Sequence, residues 1–321
     1  MSLPAPKLEG LPPSVRVVEV GPRDGLQNEP VTLSTMQKIE IVDLLSATGL
    51  REIEVSAFVH PDRVPQLADA AAVFAGIQRA EGVRYSALVP NARGLARAAQ
   101  AGVAAIAFFT AASETFTAKN IGMTIPESLQ LYRELIPQAA SYGMHVRVYI
   151  STAFVCPFEG IVAPEVVLAM SEELLGMGAD ELSVGDTIGH ATPAQVARLA
   201  HELARAAPAT AIAWHFHDTS GFALANVLTA LELGATAFDA SAGGYGGCPF
   251  APGASGNLAT EDLVGLLEAM GVSTGVDLER LAVAAHAIER AVGRAAPGRY
   301  LRRLDAAAMT AAGDCGTPLT A

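Results

Sequence analysis

"TAIAWHFHDTSGFALANVLTALELG", residues 210–234, contains the pattern that decides the fold. Its first part, residues 210–217, is a short apolar run that is typical of a buried strand. Its last part, residues 221–234, has apolar side chains at helical spacing and closes on a glycine, as helices commonly do. The stretch therefore predicts one strand followed by one helix, with polar residues where the strand ends.

The same strand-then-helix unit recurs eight times between residues 15 and 271. This alternation predicts an α/β protein, a (β/α)8 TIM barrel with extra C-terminal helices. The main rival, a doubly wound open sheet, is disfavoured because no G-x-G-x-x-G follows the first strand. The predicted strands are 15–20, 51–58, 84–90, 104–110, 145–151, 180–185, 210–217 and 235–241. The predicted helices are 35–49, 64–80, 92–102, 126–143, 163–178, 192–207, 221–234 and 259–271.

We predict one barrel core over residues 1–272, which includes a Pro-rich N-terminal tail at 1–14. Residues 273–321 are predicted to be a helical extension that packs on the barrel. No linker splits the core, and 51% hydrophobic residues are enough for a large aliphatic interior.

Composition argues against several classes of partner. The chain has 21 Lys and Arg against 33 Asp and Glu, a formal charge of −12, so we expect no nucleic-acid partner. The exception is "GRAAPGRYLRR", residues 293–303, which is either a solvated helix face or an anion contact. Three cysteines make no disulfide framework and suit a reducing compartment. With no signal peptide and no membrane span, we expect a cytoplasmic protein without membrane partners.

Chemistry-bearing side chains recur after the predicted strands. In a TIM barrel the active site lies at the C-terminal ends of the strands, so these side chains would share one face. They are Arg23 and Asp24 after the first strand, Glu54 in the second, Asp186 after the sixth, His215, His217 and Asp218 at the seventh, and Cys248 and Asn257 after the eighth. The sequence therefore predicts a site at this end of the barrel.

Four of these residues suit a metal. His215 and His217 point to the same face of their strand because side chains alternate with period 2. Asp24 and Asn257 follow the first and eighth strands, which are neighbours in a closed barrel, and the eighth strand is also next to the seventh, which carries the histidines. Such a mixture of nitrogen and oxygen ligands favours Mg²⁺, Mn²⁺ or Co²⁺ over a thiolate-bound zinc. A structural histidine pair is the alternative, and Asp218 is expected to orient an imidazole.

The other residues have roles of a different kind. Arg23 carries only donors and suits an oxyanion or enolate. Glu54 could instead be its buried ion-pair partner, and Asp186 could cap the following helix. The Cys248 thiol could donate or accept a proton, whereas Cys156 and Cys315 have no pattern around them.

Several motifs resemble the 3-hydroxy-3-methylglutaryl-CoA lyase family of metal-dependent TIM-barrel lyases. They are "VEVGPRDGLQNEP" (18–30), "GDTIG" (185–189), "HFHDTSG" with "ALAN" (215–226), "GGCPF" (246–250) and "GASGNLATEDLV" (253–264). The motifs are long and specific, and the resemblance runs from about residue 15 to residue 272.

The resemblance implies a lyase that cleaves 3-hydroxy-3-methylglutaryl-CoA to acetyl-CoA and acetoacetate, as in leucine catabolism and ketone-body formation. It implies a divalent cation, Mg²⁺ or Mn²⁺, an acyl-CoA substrate and a homodimer or higher homo-oligomer. The metal ligands that it implies are Asp24, His215, His217 and Asn257. The catalytic residues that it implies are Arg23, Asp24, Glu54, Asp186, His215 and Cys248, with Asp24 or His215 accepting the substrate's hydroxyl proton.

The chain departs from the family pattern in places that concern the substrate. Ala57, His60 and Asp62 replace Ser, Ser and Lys, and Tyr245 replaces a leucine; "VGRAAPGR", residues 292–299, lacks the Asn and Lys near the CoA nucleotide. A lyase for a related 3-hydroxy-acyl-CoA is therefore an alternative. A Claisen-type acyl transferase and a non-catalytic metal-binding barrel are further alternatives, although the C-terminal remainder is too short for the regulatory domain of such transferases.

Overall fold

Eight parallel strands close into a barrel, in the order β1-β10-β9-β8-β5-β4-β3-β2. The structure is a computed structural model, and it describes residues 10–247 and 256–313. The strands are β1 (Arg16–Glu19), β2 (Glu52–Ala57), β3 (Arg84–Leu88), β4 (Ala105–Ala111), β5 (His145–Ser151), β6 (Val155–Cys156), β7 (Gly160–Ile161), β8 (Glu181–Asp186), β9 (Ile212–Phe216) and β10 (Ala237–Ala240). β6 and β7 form a separate antiparallel hairpin. The predicted (β/α)8 barrel is confirmed.

Helices follow the barrel strands as the periodicity predicts. They are α1 (Thr35–Ser46), α2 (Ala70–Gly76), α3 (Ala92–Gln100), α4 (Glu114–Ile121), α5 (Ile125–Ser141), α6 (Pro164–Gly176), α7 (Pro193–Leu203), α8 (Ala223–Glu232), α9 (Thr260–Ala269), α10 (Leu278–Val292) and α11 (Arg299–Gly313). Capping boxes begin α1, α5 and α7, so each of these helices starts where a side-chain acceptor meets the free backbone N–H groups.

Four local features differ from the sequence-based prediction. The helix predicted at 64–80 is shorter, because a 3₁₀ turn at Pro65–Leu67 precedes α2. Helix α4, the β6–β7 hairpin and a π-helical turn at Gly21–Gly25 were not predicted. Helix α4 and the β6–β7 hairpin are insertions in the loops after β4 and β5, on the face where the site was expected.

The barrel interior is charged, whereas the apolar core lies between the strands and the helices. Arg147 on β5 reaches Asp239 on β10 at 2.5 Å, and these strands are not neighbours, so the pair crosses the interior. Arg147 also contacts Glu181 at 2.9 Å. Alternate β5 residues, such as Val146 and Val148, face outward into the apolar core. Buried charges of this kind need partners, and here the positive guanidinium forms ion pairs with the two negative carboxylates.

The C-terminal helices lie on the outside of the barrel. α10 contacts α1 and α9, and α11 contacts α9. Before them, Ser273 pairs with Ser14 next to β1. The division of the chain at residue 272 stays a prediction. In the two described ranges, 10–247 and 256–313, no helix has both the length and the apolar character needed to cross a membrane.

Candidate metal centre and active site

Asp24, His215 and His217 meet at the C-terminal end of the barrel. One ligand atom from each lies within 4.8 Å of the others. The two imidazole Nε2 atoms are 3.1 Å apart, and His215 Nε2 is 4.0 Å from Asp24 Oδ2. β9 brings both histidines to one face, and the π-helical turn after β1 brings Asp24. The predicted convergence of these three side chains is thus present in the structure.

Asn257 completes this group. It pairs with His217 in an isolated β-bridge, and its Nδ2 donates to Asp24 Oδ2 at 2.8 Å and to the carbonyl oxygen of Tyr245 at 3.1 Å. Its Oδ1 is buried and has no hydrogen-bond partner within the described part of the chain. A buried acceptor without a donor is costly unless something else binds it. We call Asp24, His215, His217 and Asn257 the ligand cluster, and its free amide oxygen fits a cation.

The protonation states also suit a metal. Burial alone would raise the pKa of Asp24, but the charges of Arg23 and the two histidines outweigh it and lower that pKa. Burial, followed by the neighbouring His215, lowers the pKa of His217 to about 3. At neutral pH Asp24 is therefore a carboxylate and His217 a neutral imidazole. These are the forms that bind metals.

His215 is oriented from below by Asp239. Its Nδ1 lies 3.1 Å from Asp239 Oδ2, which also accepts a hydrogen bond from Ser183 at 2.7 Å. Burial would raise the pKa of Asp239, but the charge of Arg147 and the hydrogen bond with His215 hold it well below its usual range. The charged carboxylate accepts a hydrogen bond from the Nδ1–H of His215. The lone pair of His215 Nε2 then faces the cluster.

Asp218 does not have the orienting role that we expected. Its carboxylate accepts a hydrogen bond from the backbone N–H of Ala223 at 3.0 Å, and it lies 3.7 Å from Arg299. Adjacency in sequence suggested Asp218, but the loop turns its side chain toward α8. Sequence reasoning missed Asp239, although a lone carboxylate inside the apolar strand 235–241 was a usable signal.

Arg23 and Glu54 form a buried ion pair beside the cluster. Arg23 Nε lies 2.6 Å from Glu54 Oε2, and Arg23 Nη1 lies 2.6 Å from Asp24 Oδ1. The guanidinium also sits 5.2 Å from the ring centroid of Tyr149, whose hydroxyl donates to Glu54 at 3.1 Å. Both readings of Glu54, as ion-pair partner and as active-site residue, are compatible with this position.

Asp186 closes the loop that follows β8. Its two carboxylate oxygens accept hydrogen bonds from the backbone N–H groups of His190 and Ala191, each at 3.0 Å. The helix α7 itself is capped by Thr192, so Asp186 caps the loop and not the helix. Burial raises its pKa to about 6, against the opposing hydrogen bonds. Its catalytic role stays a prediction.

Two cysteines, Cys248 and Cys315, lie outside the described residues, so the predicted role of Cys248 stays a prediction. Cys156 is buried, and its sulfur lies 3.0 Å from Ser113 Oγ. Among the departures from the family pattern, Ala57 and Tyr245 are buried. His60 and Asp62 are exposed and lie 3.7 Å apart.

A closed parallel barrel with a carboxylate, two imidazoles and a free amide oxygen converging at its C-terminal end defines a (β/α)8-barrel protein with a candidate metal centre. The HMGL-like family model matches residues 14–288, which is most of the chain. The chain therefore belongs to the HMGL-like family, as its motifs predicted.

Named relatives agree with this assignment. The chain is 50% identical over 291 residues to hydroxymethylglutaryl-CoA lyase YngG of Bacillus subtilis (strain 168), covering 91% of this chain and 97% of that protein. The crystal structure of hydroxymethylglutaryl-CoA lyase from Pseudomonas aeruginosa superposes with a TM-score of 0.91 at 45% identity, covering 92% and 99%. An HMG-CoA lyase from Acinetobacter baumannii, solved in complex with coenzyme A and 3-methylmalate, has a TM-score of 0.87 at 38% identity, covering 90% and 95%.

Proposed function

We propose that the chain is a metal-dependent carbon–carbon lyase that cleaves 3-hydroxy-3-methylglutaryl-CoA to acetyl-CoA and acetoacetate. The observation that carries the proposal is the ligand cluster, in which one carboxylate, two imidazoles and an amide oxygen without a donor converge. It lies in a chain that is 50% identical to a hydroxymethylglutaryl-CoA lyase over nearly its whole length.

The residues around the cluster can carry out the proton transfers of this cleavage. When bound, a divalent cation would orient the substrate's tertiary hydroxyl and an adjacent oxygen and would lower the hydroxyl pKa. Asp24 or His215 accepts the hydroxyl proton. The hydroxyl oxygen becomes the ketone of acetoacetate as the adjacent carbon–carbon bond breaks, and the electron pair of that bond passes to the enolate of acetyl-CoA.

Arg23 is placed to stabilise that enolate. Its Nε and Nη1 are held by Glu54 and Asp24, and within the described ranges Nη2 has no hydrogen bond, so it is free for a substrate oxygen. Because these contacts fix the guanidinium before the reaction, little reorganisation is needed when charge develops. A proton then reaches the enolate carbon, and we propose Cys248 as its donor.

The finer properties are part of the same proposal. The mixed nitrogen and oxygen ligands, with no thiolate among the four, support Mg²⁺ or Mn²⁺ as the cation. The coenzyme A in the Acinetobacter structure supports an acyl-CoA substrate. We also propose a homodimer or higher homo-oligomer, a cytoplasmic location and a place in leucine catabolism and ketone-body formation. The small number of cysteines supports the cytoplasmic location, because the cytoplasm is a reducing compartment.

A second candidate function is cleavage of a related 3-hydroxy-acyl-CoA. The observation that favours it is the change from the family motif at Ala57, the last residue of β2, and at His60 and Asp62 in the loop that follows. The reaction chemistry would be the same, and only the acyl group would differ.

The deciding experiment measures acetoacetate from 3-hydroxy-3-methylglutaryl-CoA with Mg²⁺ or Mn²⁺, with and without a chelator. We expect product only with metal present, and no product from the His217→Ala variant, which should also lose stoichiometric metal. Absence of product under every metal would refute this substrate. Turnover of another 3-hydroxy-acyl-CoA in the same assay would then identify the second candidate.

A further inference from the structure

The connection between α10 and α11, residues 293–298, lies against the start of the loop that follows β10. We call residues 241–247 the loop stem. The backbone N–H of Gly298 donates to the carbonyl oxygen of Gly243 at 3.0 Å, and the Tyr245 hydroxyl donates to the carbonyl oxygen of Arg294 at 2.8 Å. The C-terminal helices are therefore tied to the loop stem by hydrogen bonds at two points.

Arg294 strengthens this attachment with its side chain. Its guanidinium lies 4.6 Å from the ring centroid of Tyr245, at cation–π distance. The same guanidinium makes a two-point contact with Glu29, at 2.5 and 3.1 Å. Glu29 is buried and follows the turn that carries Asp24. The Tyr245 ring, which is fully buried, is thus fixed from the side of β1 as well as from the C-terminal helices.

The backbone of Tyr245 in turn determines how Asn257 faces the cluster. Asn257 Nδ2 lies between two acceptors, the Tyr245 carbonyl oxygen at 3.1 Å and Asp24 Oδ2 at 2.8 Å. Only the NH₂ end of an amide can donate to both, so the amide cannot be flipped. Both amide hydrogens are used, and the oxygen is left without a partner among the described residues.

We propose that Tyr245 and Arg294 are positioning residues that hold the Asn257 amide oxygen toward the cation of the ligand cluster. The inference rests on the proposed metal centre. If the Tyr245 hydroxyl bond is lost, the loop stem is free to shift, and its carbonyl no longer fixes the amide. An amide that turns by 180° presents N–H groups, which cannot bind a cation. The expected effect is therefore on metal affinity.

The test is Tyr245→Phe, with Tyr132→Phe as a matched control. Tyr132 is also buried and also donates its hydroxyl to a backbone carbonyl, that of Phe109 at 2.6 Å, but it lies on α5. Both variants should lose a similar free energy of unfolding in the metal-free protein. In a Mn²⁺ titration followed by electron paramagnetic resonance, only Tyr245→Phe should raise Kd, by about tenfold, the lower end of the range for outer-shell partners.

Arg294→Met provides a second variant, because it removes both the contact with the Tyr245 ring and the ion pair with Glu29 while leaving the Tyr245 hydroxyl in place. Its control is Arg133→Met, which removes a surface ion pair with Glu173. We expect weaker Mn²⁺ binding for Arg294→Met alone, with Arg294→Lys in between. Wild-type affinity in both Tyr245→Phe and Arg294→Met would overturn the inference. If the unaltered protein and His217→Ala bind Mn²⁺ equally poorly, the metal centre itself is wrong, and the inference fails with it.

Discussion

His215 is held from one side by Asp239 and faces the ligand cluster from the other. Asp239 is itself held by Arg147 and Ser183, so the imidazole is fixed by a chain of buried contacts that crosses the barrel interior. Such partners set the tautomer and increase the basicity of a metal-binding histidine. Asp239 lies on the neighbouring strand β10. This explains why Asp218, which follows His217 in sequence, was the wrong choice for the residue that orients an imidazole.

Asp239→Asn should lower Mn²⁺ affinity by about 10- to 100-fold, because the amide no longer offers a charged acceptor to Nδ1–H. The measurement is a Mn²⁺ titration of the metal-free protein. Asp180→Asn is the control, since Asp180 also lies beside a histidine, 3.5 Å from His145 Nδ1, at the other end of the strands. An equal loss in both variants would contradict the role given to Asp239.

Arg23→Lys should lower kcat by about 10²- to 10³-fold, the cost of removing one donor to a developing oxyanion. Lysine keeps the positive charge but has no planar fork to contact Glu54, Asp24 and substrate together. Metal affinity should change much less than kcat, which equilibrium Mn²⁺ binding checks. A loss of metal binding as large as the loss of turnover would instead make Arg23 a structural support of Asp24.

At the scale of elements, the turns and loops after the strands build the site, and they were the hardest part to predict. Hydrophobic periodicity gave the eight strand-then-helix units because both periods are regular. It gave no sign of the π-helical turn at Gly21–Gly25, which places Asp24, or of the hairpin after β5. The placement of His215 and His217 on one face could be predicted from the period of a β-strand alone. The amide orientation of Asn257 depends on a carbonyl twelve residues away, which no local pattern reports.

Gly246 is where the loop stem comes closest to the cluster. Its φ is +118°, and a Cβ there would lie 2.3 Å from Asn257 Nδ2. Gly246→Ala should therefore destabilise the protein and weaken Mn²⁺ binding. Gly122→Ala is the matched control, because φ is +73° there but a Cβ would meet nothing within 4 Å. That control should cost only the backbone strain, about 1–2 kcal/mol, in urea unfolding with metal affinity unchanged.

At the scale of the whole molecule, two buried acids hold the seam where the barrel closes. Glu19 on β1 accepts hydrogen bonds from the backbone N–H groups of Gly21 and Ala242 and from the Thr260 hydroxyl. Glu261 on α9 accepts one from the backbone N–H of Gly243. Burial raises the pKa of Glu19 to about 7 and that of Glu261 to about 8, from an ordinary value of 4.5.

These raised pKa values predict a stability that falls with rising pH. Below pH 4.5 both carboxyls are protonated in the folded and unfolded chains. Between pH 4.5 and about 8 the folded chain holds more protons than the unfolded one, so stability decreases as pH rises through this window. Glu261→Gln should make Tm less dependent on pH between about 5 and 8. Glu134→Gln, on the exposed face of α5, should leave the slope unchanged, and an equal slope in all three proteins would refute the prediction.

The global fold was predictable because it follows from repetition, and a local error such as the overlong helix at 64–80 does not change it. The charged barrel interior was not predictable in the same way. Arg147, Glu181 and Asp239 come from strands far apart in sequence, and only the closed ring brings them together.

Asp24 and Asn257 are 233 positions apart, yet one hydrogen bond joins them across the seam between the first and last barrel strands. A nascent chain that has not yet reached residue 257, or one whose two ends have not met, lacks the complete ligand cluster. On the proposed metal centre, binding of the cation would therefore come late in maturation and would not direct the early steps of folding. An ion held by the ligand cluster would join the first and last parts of the chain, so it would oppose the opening of the ring, and opening would release it.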